Sequence, residues 1–240
     1  METVDLDWRR QVERLPGYAP REPLSRDHTA LLIVDMQYGS AHRDGTTGWF
    51  LARHYPELYR HYFDRLEQVV VPAIADLIDD FRAHGRDVIY LTVGSHLPDG
   101  RDFESLRRDR EAQIERETGQ RSVINHVRSR GVQVLESLAP RDDELVLNKV
   151  TRSGFTSTGL DRILRNLGVT CLVVTGVATN SCVLATAIGA SDLGYLTVMV
   201  EDGCGALSPQ LQHSALQIFA HNYGRVLKAG EVKAELSGRA

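Results

Sequence analysis

Short apolar runs alternate with longer amphipathic segments along this chain. The runs have strand length and little polar interruption, which is typical of parallel strands buried on both faces. Between them, apolar residues recur at intervals of three and four, the period of a helix that packs one side against a core. Predicted strands cover residues 29–34, 87–93, 144–148, 172–174, 196–200 and 224–227, and a weaker candidate lies at 132–135.

The segments between these runs have the helical period. Predicted helices cover residues 49–83, 158–167, 182–193 and 209–221, and the densely charged residues 101–117 predict a solvated helix or a mobile lid. Strands that alternate with helices at this spacing predict an α/β fold with a mainly parallel sheet, helices on both faces and right-handed crossovers.

The domain organisation follows from where the periodicity begins. Residues 1–27 are polar, contain three prolines and have no period, so we expect an extended arm that packs on the surface or on a partner subunit. Residues 28–240 are expected to form a single domain, as the length of the chain favours.

Composition narrows the class of protein. Apolar residues make up 42% of the 240 residues and charged residues 25%, close to the averages for soluble globular proteins. A net charge of −4 spread over both signs argues against a nucleic-acid partner, and no apolar run approaches the ~20 residues that span a bilayer. The first residues do not resemble a signal peptide. The three cysteines are an odd number in a large chain, so we expect reduced thiols and a cytoplasmic protein.

Three reactive side chains follow predicted strands. Asp35 comes directly after the first strand, Lys149 after the strand at 144–148, and Cys182 a short turn after the strand at 172–174. Ligands of open parallel sheets bind at the carboxyl ends of the strands, so we expect these residues to meet there. The carboxylate can accept the thiol proton, the lysine can orient the carboxylate, and the thiolate can attack an acyl carbon.

The turn before Cys182 carries the sharpest prediction. A cysteine at a strand-to-helix turn lies where the helix dipole favours an anion, so we expect a lowered thiol pKa and a nucleophilic sulfur. Backbone N–H groups at Ala178 and Cys182 are expected to bind the oxyanion that nucleophilic attack would create. Cys171 and Cys204 lack this setting and are interpreted as buried, unreactive residues.

Four segments together resemble the isochorismatase-like cysteine hydrolase family. They are LLIVDMQ (31–37), LNKVTRSGF (147–155), TGVATNSCV (175–183) and EDGCGA (201–206), and they occur in the family's order. The resemblance implies a Rossmann-like three-layer αβα sandwich and a triad of Cys182, Asp35 and Lys149. It also implies a cis peptide bond between Val177 and Ala178 that turns the Ala178 N–H toward the oxyanion.

The branch of the family is open at this point. Isochorismate-type hydrolases cleave a vinyl ether and commonly lack the cysteine, so Cys182 favours hydrolysis of an amide. Nicotinamidases carry a metal site, but here only His96 falls in the corresponding stretch, VGSHLPDG, and no aspartate lies two residues before it. We therefore expect no metal and no other cofactor. The long arm and the EDGCGA segment look most like the biuret, ureidoacrylate and N-carbamoylsarcosine amidohydrolases.

These observations predict an amidohydrolase that cleaves a C–N bond of a small linear amide or ureide through a thioester and releases ammonia. The alternatives are a vinyl-ether hydrolase of the isochorismatase type and a nicotinamidase-like amidase. Relatives are commonly dimers or tetramers, so a homodimer or homotetramer is expected. Substrate preference cannot be transferred, because Tyr38-Gly39-Ser40 replaces the usual residues of the family. Candidate substrate-binding residues are Gln37, Tyr38, Phe155, His221 and Asn222.

Overall fold

Six parallel strands form the sheet in the part of the chain that the computed structural model describes, residues 22–119 and 124–238. The strand order is β3-β2-β1-β4-β5-β6, with β1 and β4 at the centre. The predicted parallel sheet is therefore confirmed. The strands are β1 (Thr29–Val34), β2 (Val88–Val93), β3 (Leu145–Lys149), β4 (Cys171–Val177), β5 (Leu196–Gly205) and β6 (Arg225–Leu227).

Helices connect the strands and cover both faces of the sheet. The α-helices are α1 (Tyr38–Ala41), α2 (Thr46–His54), α3 (Pro56–Arg65), α4 (Val71–Ala83), α5 (Ser105–Thr118), α6 (Gly154–Ser157), α7 (Leu160–Asn166), α8 (Leu184–Asp192), α9 (Pro209–Asn222) and α10 (Ala229–Ser237). Two π-helical turns (Leu66–Val70 and Thr179–Val183) and two 3₁₀ turns (Arg130–Val132 and Glu136–Leu138) complete the described elements.

The alternation of side chains along β1 divides the core into two layers. Leu31 and Ile33 contact the cluster formed by α3, α4 and α10, whereas Leu32 and Val34 contact the cluster formed by α7, α8 and α9. All six residues of β1 are buried, because neighbouring strands cover its edges and helices cover both of its faces. This is the three-layer αβα arrangement, with the strands' carboxyl ends at one edge of the sheet.

Several predicted boundaries differ from the structure. The weak strand at 132–135 is not a strand: it is a 3₁₀ turn followed by one antiparallel bridge between Gln37 and Val134. The helix predicted over 49–83 is interrupted at Tyr55, since Pro56 starts a new helix, and by the π turn before α4. The fifth strand continues to Gly205 rather than ending at a turn, and α10 was not predicted.

Residues 22–27 of the predicted arm lie against the carboxyl-terminal helix. Leu24 is buried in the core, and its N–H donates to the Glu235 carboxylate of α10. The remainder of the arm, residues 1–21, falls outside the described residues. None of the described helices has the length and apolar composition needed to cross a membrane.

Candidate active site

The structure brings Asp35, Lys149 and Cys182 together at the carboxyl edge of the sheet. Asp35 follows β1, Lys149 is the last residue of β3, and Cys182 lies in the π turn after β4. Strand β2 separates β3 from β1, so the lysine side chain crosses the end of that strand to reach the carboxylate. Its Nζ donates to Asp35 Oδ2 at 2.9 Å.

Asp35 is held in an uncommon backbone conformation. Its φ angle is +54°, in the left-handed region that asparagine and aspartate tolerate better than most residues. The Asp35 N–H donates to Leu91 O at 2.8 Å, and the Ser40 hydroxyl donates to Asp35 O at 2.6 Å. The side chain is almost fully buried, and Oδ1 has no hydrogen-bond partner among the described residues. One carboxylate oxygen is thus held by Lys149 and the other is available to accept a proton.

Lys149 is a fully buried cation. Burial alone would lower the pKa of its ammonium group, but the negative charge of Asp35 outweighs it and raises that pKa. A second hydrogen bond, from Nζ to Thr151 O at 3.2 Å, fixes the amine's position. The lysine therefore stays charged and stabilises a negative charge on either neighbour.

The Cys182 thiol is protonated in the resting site, contrary to the lowered pKa predicted from the helix dipole. Burial is the main cause, since only 9% of the residue is exposed, and the Asp35 charge adds to it. Together they raise the thiol pKa to about 11, although Lys149 acts in the opposite direction. The cysteine also lies within a π-helical turn, Thr179–Val183, rather than at the start of an α-helix. The thiol must consequently lose its proton to a base during attack.

A cis peptide bond and a closed π turn shape the backbone before Cys182. The Val177–Ala178 peptide bond is cis. Ala178 O accepts hydrogen bonds from the N–H groups of Ser181 and Val183, which closes the turn. The Ala178 N–H donates to no described residue, and the Cys182 N–H donates to none of them outside its own turn. Both were predicted to bind an oxyanion, and the Ala178 N–H is uncommitted among the described residues.

Gly176 is required by the close approach of the two central strands before this turn. Its φ angle is +112°, and a Cβ at this position would lie 2.0 Å from Val34 O. No side chain fits there, because the obstacle is backbone. The glycine thus lets β4 reach the end of β1, where Asp35 lies.

Two supporting residues were missed by the sequence reasoning. Gln212, in the first turn of α9, accepts a hydrogen bond from the Thr179 hydroxyl at 2.5 Å, and its Nε2 donates to Cys204 O at 3.2 Å and to Glu201 O at 3.3 Å. It thereby ties the cysteine turn to the end of β5. Tyr62 of α3 is buried, and burial together with the charge of Asp35 raises its phenol pKa. Gln212 is one polar residue in an amphipathic helix, and Tyr62 belongs to an apolar pattern, so nothing local marked them.

Gln37 has a structural role rather than the predicted role in substrate binding. It is 1% exposed, and both hydrogens of its amide are used, by Val93 O at 2.9 Å and Gly131 O at 3.0 Å. Its Oε1 accepts from the Val93 N–H at 2.7 Å. The side chain joins the ends of β1 and β2 to the 3₁₀ segment. The neighbouring Tyr38 is stacked between the His42 ring and the Arg130 guanidinium.

Of the other three predicted pocket residues, His221 and Asn222 lie away from the cysteine, whereas Phe155 packs against the core layer that also contains Cys182. His221 and Asn222 end α9, which begins beside the cysteine turn and is 14 residues, or about 21 Å, long. They hydrogen-bond to each other at 3.0 Å, near the amino ends of the strands. Phe155 contacts Gly189 and packs 5.9 Å from the Tyr195 ring, within the α8 side of the core. The sequence did not show that α9 runs from the carboxyl edge of the sheet to the opposite edge, so that His221 and Asn222 end far from the cysteine.

His96 is held as part of the loop after β2. Its Nε2 lies 3.2 Å from Asn148 Nδ2, and its N–H donates to the Asp102 carboxylate at 2.7 Å. These contacts fix the loop at the same edge of the sheet as the cysteine.

Solved structures share this fold. A cysteine hydrolase from Pseudomonas syringae pv. phaseolicola matches with a TM-score of 0.75 at 24% identity, covering 94% of this chain and 100% of that chain. N-carbamoylsarcosine amidase from Thermoplasma acidophilum matches with a TM-score of 0.59 at 25% identity, covering 84% and 96%.

The sequence comparison assigns the family. The Isochorismatase domain model matches residues 29–231, which is most of the chain. The chain therefore belongs to the isochorismatase-like hydrolase family. It is also 28% identical over 206 residues to the ureidoacrylate amidohydrolase RutB of Klebsiella pneumoniae, an alignment that covers 84% of this chain and 83% of that protein.

Proposed function

We propose that this protein is a cysteine amidohydrolase that releases ammonia from a small linear amide or ureide. The observation that carries the proposal is the buried thiol beside a carboxylate that has one oxygen on Lys149 and the other unpartnered. The names of two matched proteins support it, since one is a ureidoacrylate amidohydrolase and the other an N-carbamoylsarcosine amidase.

In the first step, Cys182 Sγ attacks the substrate carbonyl carbon while its proton moves to Asp35 Oδ1. A thiol pKa near 11 leaves little free thiolate at neutral pH, so proton transfer must accompany attack. The C–S bond forms and the carbonyl electrons move to oxygen. The N–H groups of Ala178 and Cys182 bind that oxyanion, and the Lys149 charge offsets the growing negative charge.

In the second step, the tetrahedral intermediate collapses and the C–N bond breaks. Asp35 returns its proton to the departing nitrogen, which leaves as ammonia. The acyl group stays on sulfur as a thioester, or as a thiocarbamate when the substrate is a ureide. Water then gives its proton to Asp35 and attacks this carbonyl, and the thiol recovers a proton as the C–S bond breaks.

An ammonia-release screen tests the proposal. Biuret, ureidoacrylate, carbamoyl amino acids, nicotinamide and simple aliphatic amides would be compared on wild type, Cys182→Ala and the control Cys171→Ala. Cys171 is equally buried but lies at the amino end of β4. We expect release by wild type and the control, and loss of at least about 10³-fold in Cys182→Ala. Undiminished ammonia release by Cys182→Ala contradicts the proposal. If wild type releases no ammonia from any of these compounds, the result contradicts the proposal as well and favours the vinyl-ether hydrolase, which has no need of the thiol.

The expected homodimer or homotetramer and the cytoplasmic location stay predictions. Size-exclusion chromatography with light scattering measures the first, and cell fractionation measures the second.

A further inference from the structure

An arginine on α5, the helix that follows β2, has no acidic partner among the described residues. Arg107 is half-buried, and its guanidinium carbon lies 4.4 Å from the centre of the Phe103 ring. Phe103 is only 3% exposed, so packing holds this ring in place beneath the guanidinium. Stacking holds the plane of the guanidinium and leaves its N–H edge to bind a planar anion.

The start of α5 is fastened to the catalytic edge of the sheet. Glu104, which precedes the helix, forms an ion pair with Arg152 at 2.6 Å. Arg152 follows Thr151, whose carbonyl accepts the hydrogen bond from Lys149 Nζ. Two residues before Glu104, Asp102 accepts hydrogen bonds from the Ser95 hydroxyl at 2.5 Å and the His96 N–H at 2.7 Å. Arg107 is therefore positioned by contacts to the ends of β2 and β3.

Arg107 lies one turn into α5, whose start is bonded to the carboxyl edge of the sheet, and its charge is not paired within the described residues. No carboxylate of the described residues forms an ion pair or hydrogen bond with it, whereas Arg43 is paired with both Asp64 and Glu67. Burial and the Asp35 charge raise the pKa of the Cys182 thiol, and Lys149 and Arg107 act against them. This effect on the thiol agrees with the place of Arg107 three residues after Glu104, at the carboxyl edge of the sheet. A half-buried guanidinium that stacks on a ring and has no carboxylate partner among the described residues is suited to bind a carboxylate.

We propose that Arg107 binds a carboxylate of the substrate, so that the site takes acidic amides and ureides in preference to neutral ones. This inference rests on the proposed function, because it places the substrate's amide carbonyl at Cys182. A carboxylate bound at Arg107 would anchor one end of the substrate while the other end reacts. Arg108, the next residue on the helix, is exposed and offers a matched control.

A pair of thiol reagents tests the carboxylate site without any substrate. Iodoacetate and iodoacetamide differ in one group, a carboxylate against a carboxamide, and peptide mass mapping follows the alkylation of Cys182. Comparing the two rates within each variant cancels any change in thiol pKa. Arg107→Met should lower the iodoacetate-to-iodoacetamide ratio about 10-fold or more, Arg107→Lys should lower it less, and Arg108→Met should leave it unchanged. An equal ratio in wild type and Arg107→Met overturns the proposal.

Matched substrates give the second readout. For N-carbamoylglycine, kcat/KM should fall about 10- to 100-fold in Arg107→Met, while the fall for the neutral N-carbamoylglycinamide should be at most a few-fold. An equal fall in kcat/KM for both compounds would mean that Arg107 does not bind the carboxylate. The Cys182→Ala variant distinguishes a failure of the proposed function from a failure of the Arg107 assignment. If Cys182→Ala retains full ammonia release, the proposed function is wrong. If it is inactive, equal losses in Arg107→Met contradict only the assignment of Arg107.

Discussion

Replacing Lys149 with methionine should destabilise the protein far more than the loss of an ordinary lysine. The side chain is fully buried, and Asp35, its partner at 2.9 Å, is only 3% exposed. Methionine has a similar shape, so the main change is that the carboxylate loses its cation. Asp35 Oδ1 already has no partner among the described residues, and Lys149 is the only described cation that forms an ion pair with this carboxylate. Breaking a buried pair by removing one partner costs about 3–5 kcal/mol.

Urea unfolding measured by circular dichroism gives the free energy of unfolding, and thermal unfolding gives an independent check. For a chain of this length, a loss of about 3–5 kcal/mol corresponds to a decrease in Tm of roughly 6–20 °C. The control is Lys233→Met, which removes a cation from a partly exposed pair with Asp76. Surface pairs of that kind contribute about 0–1 kcal/mol, so the control should unfold close to wild type.

The double variant Asp35→Asn/Lys149→Met completes the cycle. It removes both charges, so it should recover about 2 kcal/mol or more relative to Lys149→Met, although it will be inactive. The reasoning is refuted if Lys149→Met unfolds within about 1 kcal/mol of wild type. It is equally refuted if the double variant is no more stable than Lys149→Met, since the cost would then not come from an uncompensated carboxylate.

Three further predictions concern the cysteine turn and its support. Alkylation of Cys182 by iodoacetamide should keep accelerating up to about pH 11, because burial and a neighbouring carboxylate raise the thiol pKa; a plateau near neutral pH would contradict this. Gln212→Leu should lower kcat and cost about 1–3 kcal/mol of unfolding free energy, because it leaves buried carbonyls unpaired. The control, Gln210→Leu on the exposed side of α9, should resemble wild type in both assays. Gly176→Ala should fail to give folded protein by circular dichroism. The control, Gly230→Ala in α10, has open space around it and should unfold at or slightly above the wild-type temperature. A folded, active Gly176→Ala would contradict this prediction, because it would show that the strands can separate.

The central strands and the three reactive side chains were predictable because each depends on a short local pattern. Continuous apolar runs define β1 and β4, and a polar residue directly after such a run marks the edge where ligands bind. The predicted thiol pKa was wrong because it considered only the backbone around Cys182. Burial and the charge of Asp35, which lies 147 residues earlier in the chain, have the larger effect.

The supporting residues could not be found in this way, since their roles depend on tertiary contacts. Gln37 follows the first strand as a pocket residue would, yet its amide bonds to the ends of β2 and of a distant loop. His221 was a candidate because it lies near the end of a predicted helix, but α9 carries that end to the opposite edge of the sheet. Gln212, at the other end of the same helix, is the residue that contacts the cysteine turn. Gln212 and His221 lie on the same helix, and the direction of that helix decides which of them lies near the cysteine.

Trapping the acyl enzyme tests the central claim most directly. Wild-type protein mixed with the best substrate of the ammonia screen would be quenched in acid within one turnover and examined by intact-mass and peptide mass spectrometry. The account predicts an adduct of the substrate's acyl portion on Cys182, formed together with a burst of ammonia, and none on Cys171 or Cys204. Ammonia release in the same mixture with Cys182 unmodified at every quench time, or an equal burst from Cys182→Ala, would contradict it.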